Sequence, residues 1–252
     1  MWFCGGLVLL FIIAPLAGMA LDCSFSSLKA TALDREVQHS IELTLLCSFC
    51  GMAVCSLAAV PFAWLLARRD FTGKRILQGI IDLPIVIPHS AAGIALLGVL
   101  SRKSMLGGLG EYWGFSFIGS SLGIACAMAY VSLPFLIDAA RDGFAAVPEQ
   151  LEKAALTLGA SPARVFFTIS IPLAKRAILT GLVMMFARGL SEFGAVIIIA
   201  YHPMVAPVLI YERFTAFGLA HSQPVAVVFL GVCLLVFIVL RLLAGERRNA
   251  LD

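Results

Sequence analysis

Three ionisable side chains interrupt stretches that are otherwise apolar. They are Asp82, Arg188 and Glu192. An ionisable group at bilayer depth costs about 2.5–3.5 kcal/mol on insertion scales, so each of these groups is a functional candidate. Arg188 and Glu192 are four residues apart and therefore share one face of a helix. We expect Glu192, Asp82 or both to neutralise Arg188. A gating network that exchanges these partners is the alternative, with Ser191 as a further candidate beside the pair.

Two prolines interrupt the apolar stretch that contains Asp82. Pro84 and Pro88 remove backbone hydrogen bonds and precede His89 and Ser90. Ser90 could cap a second half-helix over 91–100, whose N-terminus would favour an anion. A proline kink that only aids packing is the other interpretation. His89 is expected to be a packed or pore-lining group rather than a metal ligand.

The composition explains why these charges are exceptional. The 252 residues are 61% hydrophobic and 13% charged, with a mean hydropathy of +0.99. Soluble domains carry about 25% charged residues, so we exclude a soluble enzyme and a nucleic-acid binder. Six apolar runs are long enough to cross a bilayer as helices: Phe3–Leu21, 43–67, 76–100, 117–137, 178–201 and 224–240. The sequence predicts an all-α, polytopic membrane helix bundle with about six transmembrane helices in a single domain over 1–252. We expect its first helix to be an uncleaved anchor.

The basic residues predict the orientation of the bundle. One set of connections, 68–75, 138–177 and the tail after 240, holds 12 Lys and Arg residues, whereas 22–42, 101–116 and 202–223 hold 5. Cytoplasmic loops carry the excess of positive charge. We therefore expect both termini to lie in the cytoplasm.

The longest predicted cytoplasmic connection, 138–177, contains the pattern of a short helix. Pro148 suits its first position, Glu149 and Glu152 suit the positive N-terminal end, and Gly159 suits the left-handed residue after its end. Apolar residues recur at helical spacing along it and form one stripe: Leu151, Ala154, Ala155 and Leu158. Ser161 and Pro162 then begin a second helix. The helix could dock in the groove of another protein, or it could be a connector folded against its own bundle.

The sequence contains no recognisable catalytic, metal or nucleotide site. Thr72-Gly73-Lys74-Arg75 lacks the upstream glycine and the final Ser or Thr of a phosphate-binding loop. The four histidines do not pair in any metal-ligand or catalytic spacing. We expect no catalytic residue, metal or cofactor in this chain. Uphill transport would then need a partner or an ion gradient.

The connection 138–177 resembles the cytoplasmic loop of ABC-importer permeases of type I. That loop carries Glu-Ala-Ala, three residues, Gly, nine residues, Ile, any residue and Leu-Pro. Here Lys153 replaces the acidic residue, with Glu152 beside it, and Ile171 replaces the leucine. The resemblance implies a coupling loop for an ATPase, formed by Glu149, Glu152, Lys153, Ala154, Ala155, Gly159, Ile169 and Pro172.

Three further segments resemble the molybdate/tungstate permeases, within a group that includes sulfate permeases. They are 82–89, 189–195 and 201–207. The resemblance implies a pore of two permease copies in the cell membrane. It also implies two ATP-binding subunits that carry ATP and Mg, and an extracytoplasmic oxyanion-binding protein. A sulfate or thiosulfate permease, an ion-coupled secondary transporter and an intramembrane enzyme are the alternatives.

Overall fold

The computed structural model describes residues 2–245. Arg247 and Arg248, which contribute to the predicted cytoplasmic tail, lie outside these residues. The described chain is a succession of helices: α1 Trp2–Leu21, α2 Phe25–Leu33, α3 Arg35–Arg68, α4 Lys74–Val86, α5 His89–Leu100, α6 Met105–Tyr112, α7 Ser121–Ala145, α8 Glu149–Thr157, α9 Pro162–Val165, a π-turn Phe166–Ser170, α10 Ile171–Leu190, α11 Val196–Ile199, α12 Ala206–Phe217 and α13 Leu219–Gly245.

Within residues 2–245, five helical segments are long and apolar enough to cross a membrane, and the number is six if a bent pair of helices is counted as one span. The five are α1, α3, α7, the continuous segment from α9 to α10, and α13. The bent pair is α4 and α5, whose axes differ by 111°. The predicted all-α membrane bundle with about six spans is therefore confirmed. The predicted outer loops 22–42, 101–116 and 202–223 are partly helical, because they contain α2, α6 and α12.

The fifth span lies earlier in the chain than the predicted range 178–201. Its helix runs over Pro162–Leu190 and stops well before residue 201. The residues after it are mostly irregular and contain only the short α11, yet Ala195 and Val196 are completely buried. An apolar run predicts burial but does not distinguish lipid from protein surroundings, which explains the error. The span helices also extend past their apolar runs, so the predicted connection 138–177 shortens to residues 146–161.

The core is centred on α7, which packs between α3 and α10. One apolar cluster joins α7 to the first half of α3, to α5 and to the α11 region, and a second joins α7 to the second half of α3 and to α10. Small residues allow this proximity. A Cβ atom at Gly51 would lie 2.8 Å from the carbonyl oxygen of Ala125, and one at Gly181 would lie 3.2 Å from the Cα of Leu136. The three central helices therefore form a tightly packed scaffold for the polar residues.

Candidate functional site

The broken third span has two separate helical ends. α4 ends at Val86, and α5 begins at His89 after Pro88, which is the N-cap residue with φ −55° and ψ 133°. Ser90 lies inside the helix, so its prediction as the N-cap is wrong. The cause is the fixed φ of Pro88, which starts the helix two residues earlier. A bend of 111° is too sharp for a simple kink, and α5 presents its own N-terminus.

A charged cluster joins that N-terminus to the end of α10. Glu192 is 1% exposed, and its Oε2 accepts a hydrogen bond from Nη2 of Arg188 at 3.0 Å. His89 Nδ1 lies 2.9 Å from the same oxygen, and its Nε2 lies 2.9 Å from Nη2 of Arg188. Nη2 of Arg188 also lies 2.9 Å from Nδ1, so the tautomer in which Nδ1 donates to Glu192 leaves Nε2 as the acceptor for Arg188. The expected pairing of Arg188 with Glu192 is confirmed.

The turn after α10 fixes Glu192 from the other side. Its Oε1 accepts the backbone N–H of Ala195 at 2.9 Å, while Arg188 Nη1 donates to the exposed hydroxyl of Ser191 at 3.2 Å. A Cβ atom at Gly194 would lie 2.6 Å from the Cβ of His89. Only a glycine permits this approach, so the turn and the start of α5 are closely fitted.

Asp82 does not take part in this cluster, so its prediction as a partner of Arg188 is wrong. It interacts instead with Asp138 of α7, which forms an ion pair with Arg141 at 2.8 Å. The Oδ1 atom of Asp82 is buried and has no hydrogen-bond partner within residues 2–245. Asp82 lies on α4, before the bend, whereas His89 lies on α5, after the bend. The bend therefore separates Asp82 from the cluster of His89, Arg188 and Glu192. Pro84 is buried beside Asp82, whereas Pro88 is exposed.

The predicted coupling segment forms the helix α8, Glu149–Thr157. Pro148 is its N-cap rather than its first helical residue, because its ψ of 121° is extended. Gly159 has φ +88°, as predicted. Its N–H donates to the carbonyl of Leu156, and that of Ala160 to the carbonyl of Ala155, each at 3.0 Å. These two bonds form a Schellman motif, which ends the helix.

The apolar stripe of α8 is not covered by the rest of the chain. Leu151 is 47% exposed and Leu158 is 89% exposed. Of the nine residues of α8, all of which the structure describes, only Glu152 is buried. Lys153 and Glu149 form an exposed ion pair at 2.7 Å. α8 therefore presents an apolar surface outward while a single carboxylate faces the bundle.

Four hydrogen bonds converge on that carboxylate. Arg68 binds it in bidentate fashion, with Nε at 2.8 Å from Oε2 and Nη2 at 2.9 Å from Oε1. Oε1 also accepts from the hydroxyl of Ser170 at 2.7 Å and, more weakly, from Nε1 of Trp64 at 3.4 Å. Burial acts to raise the pKa of Glu152, but these hydrogen bonds and the charge of Arg68 hold it below its ordinary value. Glu152 is therefore an ionised, fully paired group.

No residue spacing or motif indicates the partners of Glu152. In the sequence, Arg68 is one of several basic residues at the end of a span, and Trp64 is one residue of a long apolar run, so neither stands out. Ser170 occupies the unspecified position of the loop motif, between Ile169 and Ile171. It is the last residue of the π-turn, and Pro172 follows in the first turn of α10. Proline cannot donate a backbone hydrogen bond, which suits an irregular turn directly before it.

Residues 59–248 match the family described as "binding-protein-dependent transport system inner membrane component". The chain belongs to this family. It is 42% identical to the molybdate/tungstate transport system permease protein of Pyrococcus abyssi over 97% of this chain and 94% of that protein. A probable sulfate transport system permease protein of Chlorokybus atmophyticus is 31% identical over 90% of this chain and 81% of that protein.

The fold agrees with a solved transporter. A chain in the crystal structure of a bacterial ABC transporter involved in the import of the acidic polysaccharide alginate superposes with a TM-score of 0.73. The match covers 98% of this chain and 96% of that chain, at 16% identity. At that identity the likeness concerns the fold alone. This family member is thus a multi-pass membrane permease.

Proposed function

We propose that this chain is the membrane-spanning subunit of an ATP-driven importer that moves molybdate or tungstate into the cell. The observation that carries the proposal is α8, a capped helix whose apolar side chains face outward in a permease of this family. An unpaired apolar surface of this kind suits the groove of a partner protein. The choice of oxyanion is supported by the 42% identity to a molybdate/tungstate permease over nearly the full length.

The proposal includes three kinds of partner. A second permease copy completes the pore, and two ATP-binding subunits receive the α8 helices. ATP and Mg bind to those subunits, and hydrolysis of the ATP drives transport. An extracytoplasmic protein binds the oxyanion and delivers it. In this assembly Glu149, Lys153, Ala154, Ala155 and the exposed leucines of α8 form the surface that contacts the ATPase.

The proposed orientation places both termini and α8 in the cytoplasm. The 12-to-5 distribution of basic residues supports it. Ala160 and Ala30 are accessible positions in the proposed inner and outer connections. With the seven native cysteines replaced, an impermeant thiol reagent should label a cysteine at 30, but not one at 160, in intact cells. External labelling at 160 would overturn the orientation.

We also propose that the contact between His89 and Glu192 belongs to the gate. Its two sides lie on α5 and on the turn after α10, and α5 begins as a separate helix after the break at Pro88. When α5 moves, Glu192 keeps Arg188 and the N–H of Ala195 as partners. The contact can therefore open without leaving a buried carboxylate unpaired, which a gate requires.

The decisive experiment measures oxyanion uptake into proteoliposomes containing the permease, the ATPase subunits and the binding protein. Molybdate or tungstate should accumulate only with internal ATP and Mg, and excess sulfate should compete poorly. Preferred uptake of sulfate would select the sulfate permease alternative. Uptake driven by an ion gradient without ATP would overturn the importer and favour a secondary transporter.

A further inference from the structure

The carboxylate of Glu152 is the point at which four separate parts of the chain meet. Arg68 and Trp64 lie in the last turns of α3, and Ser170 lies in the π-turn before α10. Arg68 Nη2 also donates to the carbonyl of Val147, directly after α7, at 3.1 Å. The side chains of Arg68 and Glu152 are 9% and 8% exposed. One buried ion pair thus links α8 to the ends of all three central helices.

The rest of α8 could not hold this position unaided. A helix of nine residues is too short to be stable alone, and the other eight residues are not buried. The surrounding aromatic rings belong to the bundle, with Trp64 and Phe166 in edge contact at 5.4 Å between centroids. Removing the carboxylate charge would leave Arg68 buried without its partner and would release α8 from the spans.

We propose that Glu152, Arg68 and Ser170 are positioning residues that transmit the movement of the ATPase to the transport pathway. The ATPase would bind the exposed side of α8, whereas Glu152 passes the displacement to α3, α7 and α10. The π-turn is a natural place for the movement to enter α10, because its hydrogen bonds are irregular. This inference rests on the proposed function, since it requires an ATPase on α8.

The test compares assembly with coupling in reconstituted complexes. Glu152→Gln and Arg68→Gln should each retain the ATPase, because the exposed side chains of α8 are unchanged. Oxyanion uptake per ATP hydrolysed should fall about tenfold, within the usual range of coupling between sites. The double variant should be no worse than either single variant, because the two side chains act as one unit. Asp70→Asn is the matched control, since its carboxylate is exposed near the end of α3.

Ser170→Ala covers the case in which the charge variants fail to fold. It removes one hydrogen bond from a completely buried serine, and uptake per ATP should fall about threefold. A lower melting temperature with unchanged uptake per ATP would overturn the proposal, because the network would then be merely structural. Loss of the ATPase from the complex would also overturn it, since the network would then form the docking surface. Wild-type uptake without any need for ATP would instead refute the proposed function.

Discussion

Two buried glutamates in this molecule are each paired with an arginine, but the two pairs are built differently. Glu152 and Arg68 are 84 residues apart, and every side-chain partner of Glu152 lies on another element. Glu192 and Arg188 are four residues apart, and within residues 2–245 only His89 reaches them from another helix. The first pair cannot separate without stranding both charges, whereas the second survives when α5 moves away. The pair of Glu152 and Arg68 is therefore a permanent joint, meaning a contact that stays closed, whereas the contact of His89 with Glu192 can open.

The largest expected effect is that of Arg68→Ala. It leaves the carboxylate of Glu152 buried without a counter-charge, with Ser170 and the long contact to Trp64 as its remaining partners, which should lower the free energy of unfolding by about 3–5 kcal/mol. Unfolding in mixed detergent micelles measures this loss. Arg69→Ala is the control, because Arg69 is exposed and its replacement should change stability by about 0.5 kcal/mol or less. Equal stability of the two variants would show that Arg68 is not part of a buried joint.

Arg188→Ala should have the second largest effect, about 2 kcal/mol, because Glu192 keeps His89 and the N–H of Ala195. Adding Glu192→Gln should recover part of the loss in the same unfolding assay. Adding Asp82→Asn should be simply additive, since Asp82 lies with Asp138. If Asp82→Asn restores the stability lost in Arg188→Ala, Arg188 is paired with Asp82 as well, and the pair of Arg188 and Glu192 is not a local one.

Gly159→Val is expected to disturb only the end of α8. A β-branched residue at φ +88° costs about 1–2 kcal/mol, which should unravel the last turn and misplace Leu158. ATPase binding should weaken while the spans keep their melting temperature. Gly79→Ala provides the control, because no atom of the described residues other than its own neighbours lies within 4 Å of its added Cβ atom. Wild-type assembly of Gly159→Val would remove α8 from the docking surface.

His89→Ala should cost only about 1 kcal/mol of stability, because the local pair of Arg188 and Glu192 remains intact. Its effect on transport should be larger, with leak of oxyanion across the membrane in the absence of ATP. A stability loss equal to that of Arg68→Ala would mean that both contacts are permanent joints.

The smallest effect concerns pH. The pKa of Glu152 is lowered from 4.5 in the folded protein, so its ion pair stabilises the fold fully above that ordinary value. The contribution is lost as the pH falls through the folded pKa. The difference in melting temperature between wild type and Glu152→Gln should therefore be constant from pH 8 to about pH 5 and should shrink only below pH 4.5. A difference that already shrinks between pH 7 and pH 6 would contradict full ionisation.

The features that sequence reasoning recovered are local ones. The pairing of Arg188 with Glu192 follows from four-residue spacing, the turn at Gly159 from helix-ending chemistry, and the break near Pro88 from a missing backbone donor. The partners of Glu152 come together only through tertiary packing, so their spacing carries no signal. Asp82 lies beside Asp138, an arrangement that charge complementarity does not predict. The end of the fifth span was missed because a buried irregular segment is as apolar as a membrane helix.

The attachment of α8 through a single buried side chain has a mechanical consequence. The helix is roughly 13 Å long at 1.5 Å per residue, and Glu152 lies near its first turn. A helix that is held by one side chain can change its orientation about that contact, whereas a second contact would fix its orientation. The second contact would come from the protein that binds Leu151 and Leu158. In the free permease α8 should therefore vary in orientation. Binding of the partner should fix that orientation before any ATP is hydrolysed.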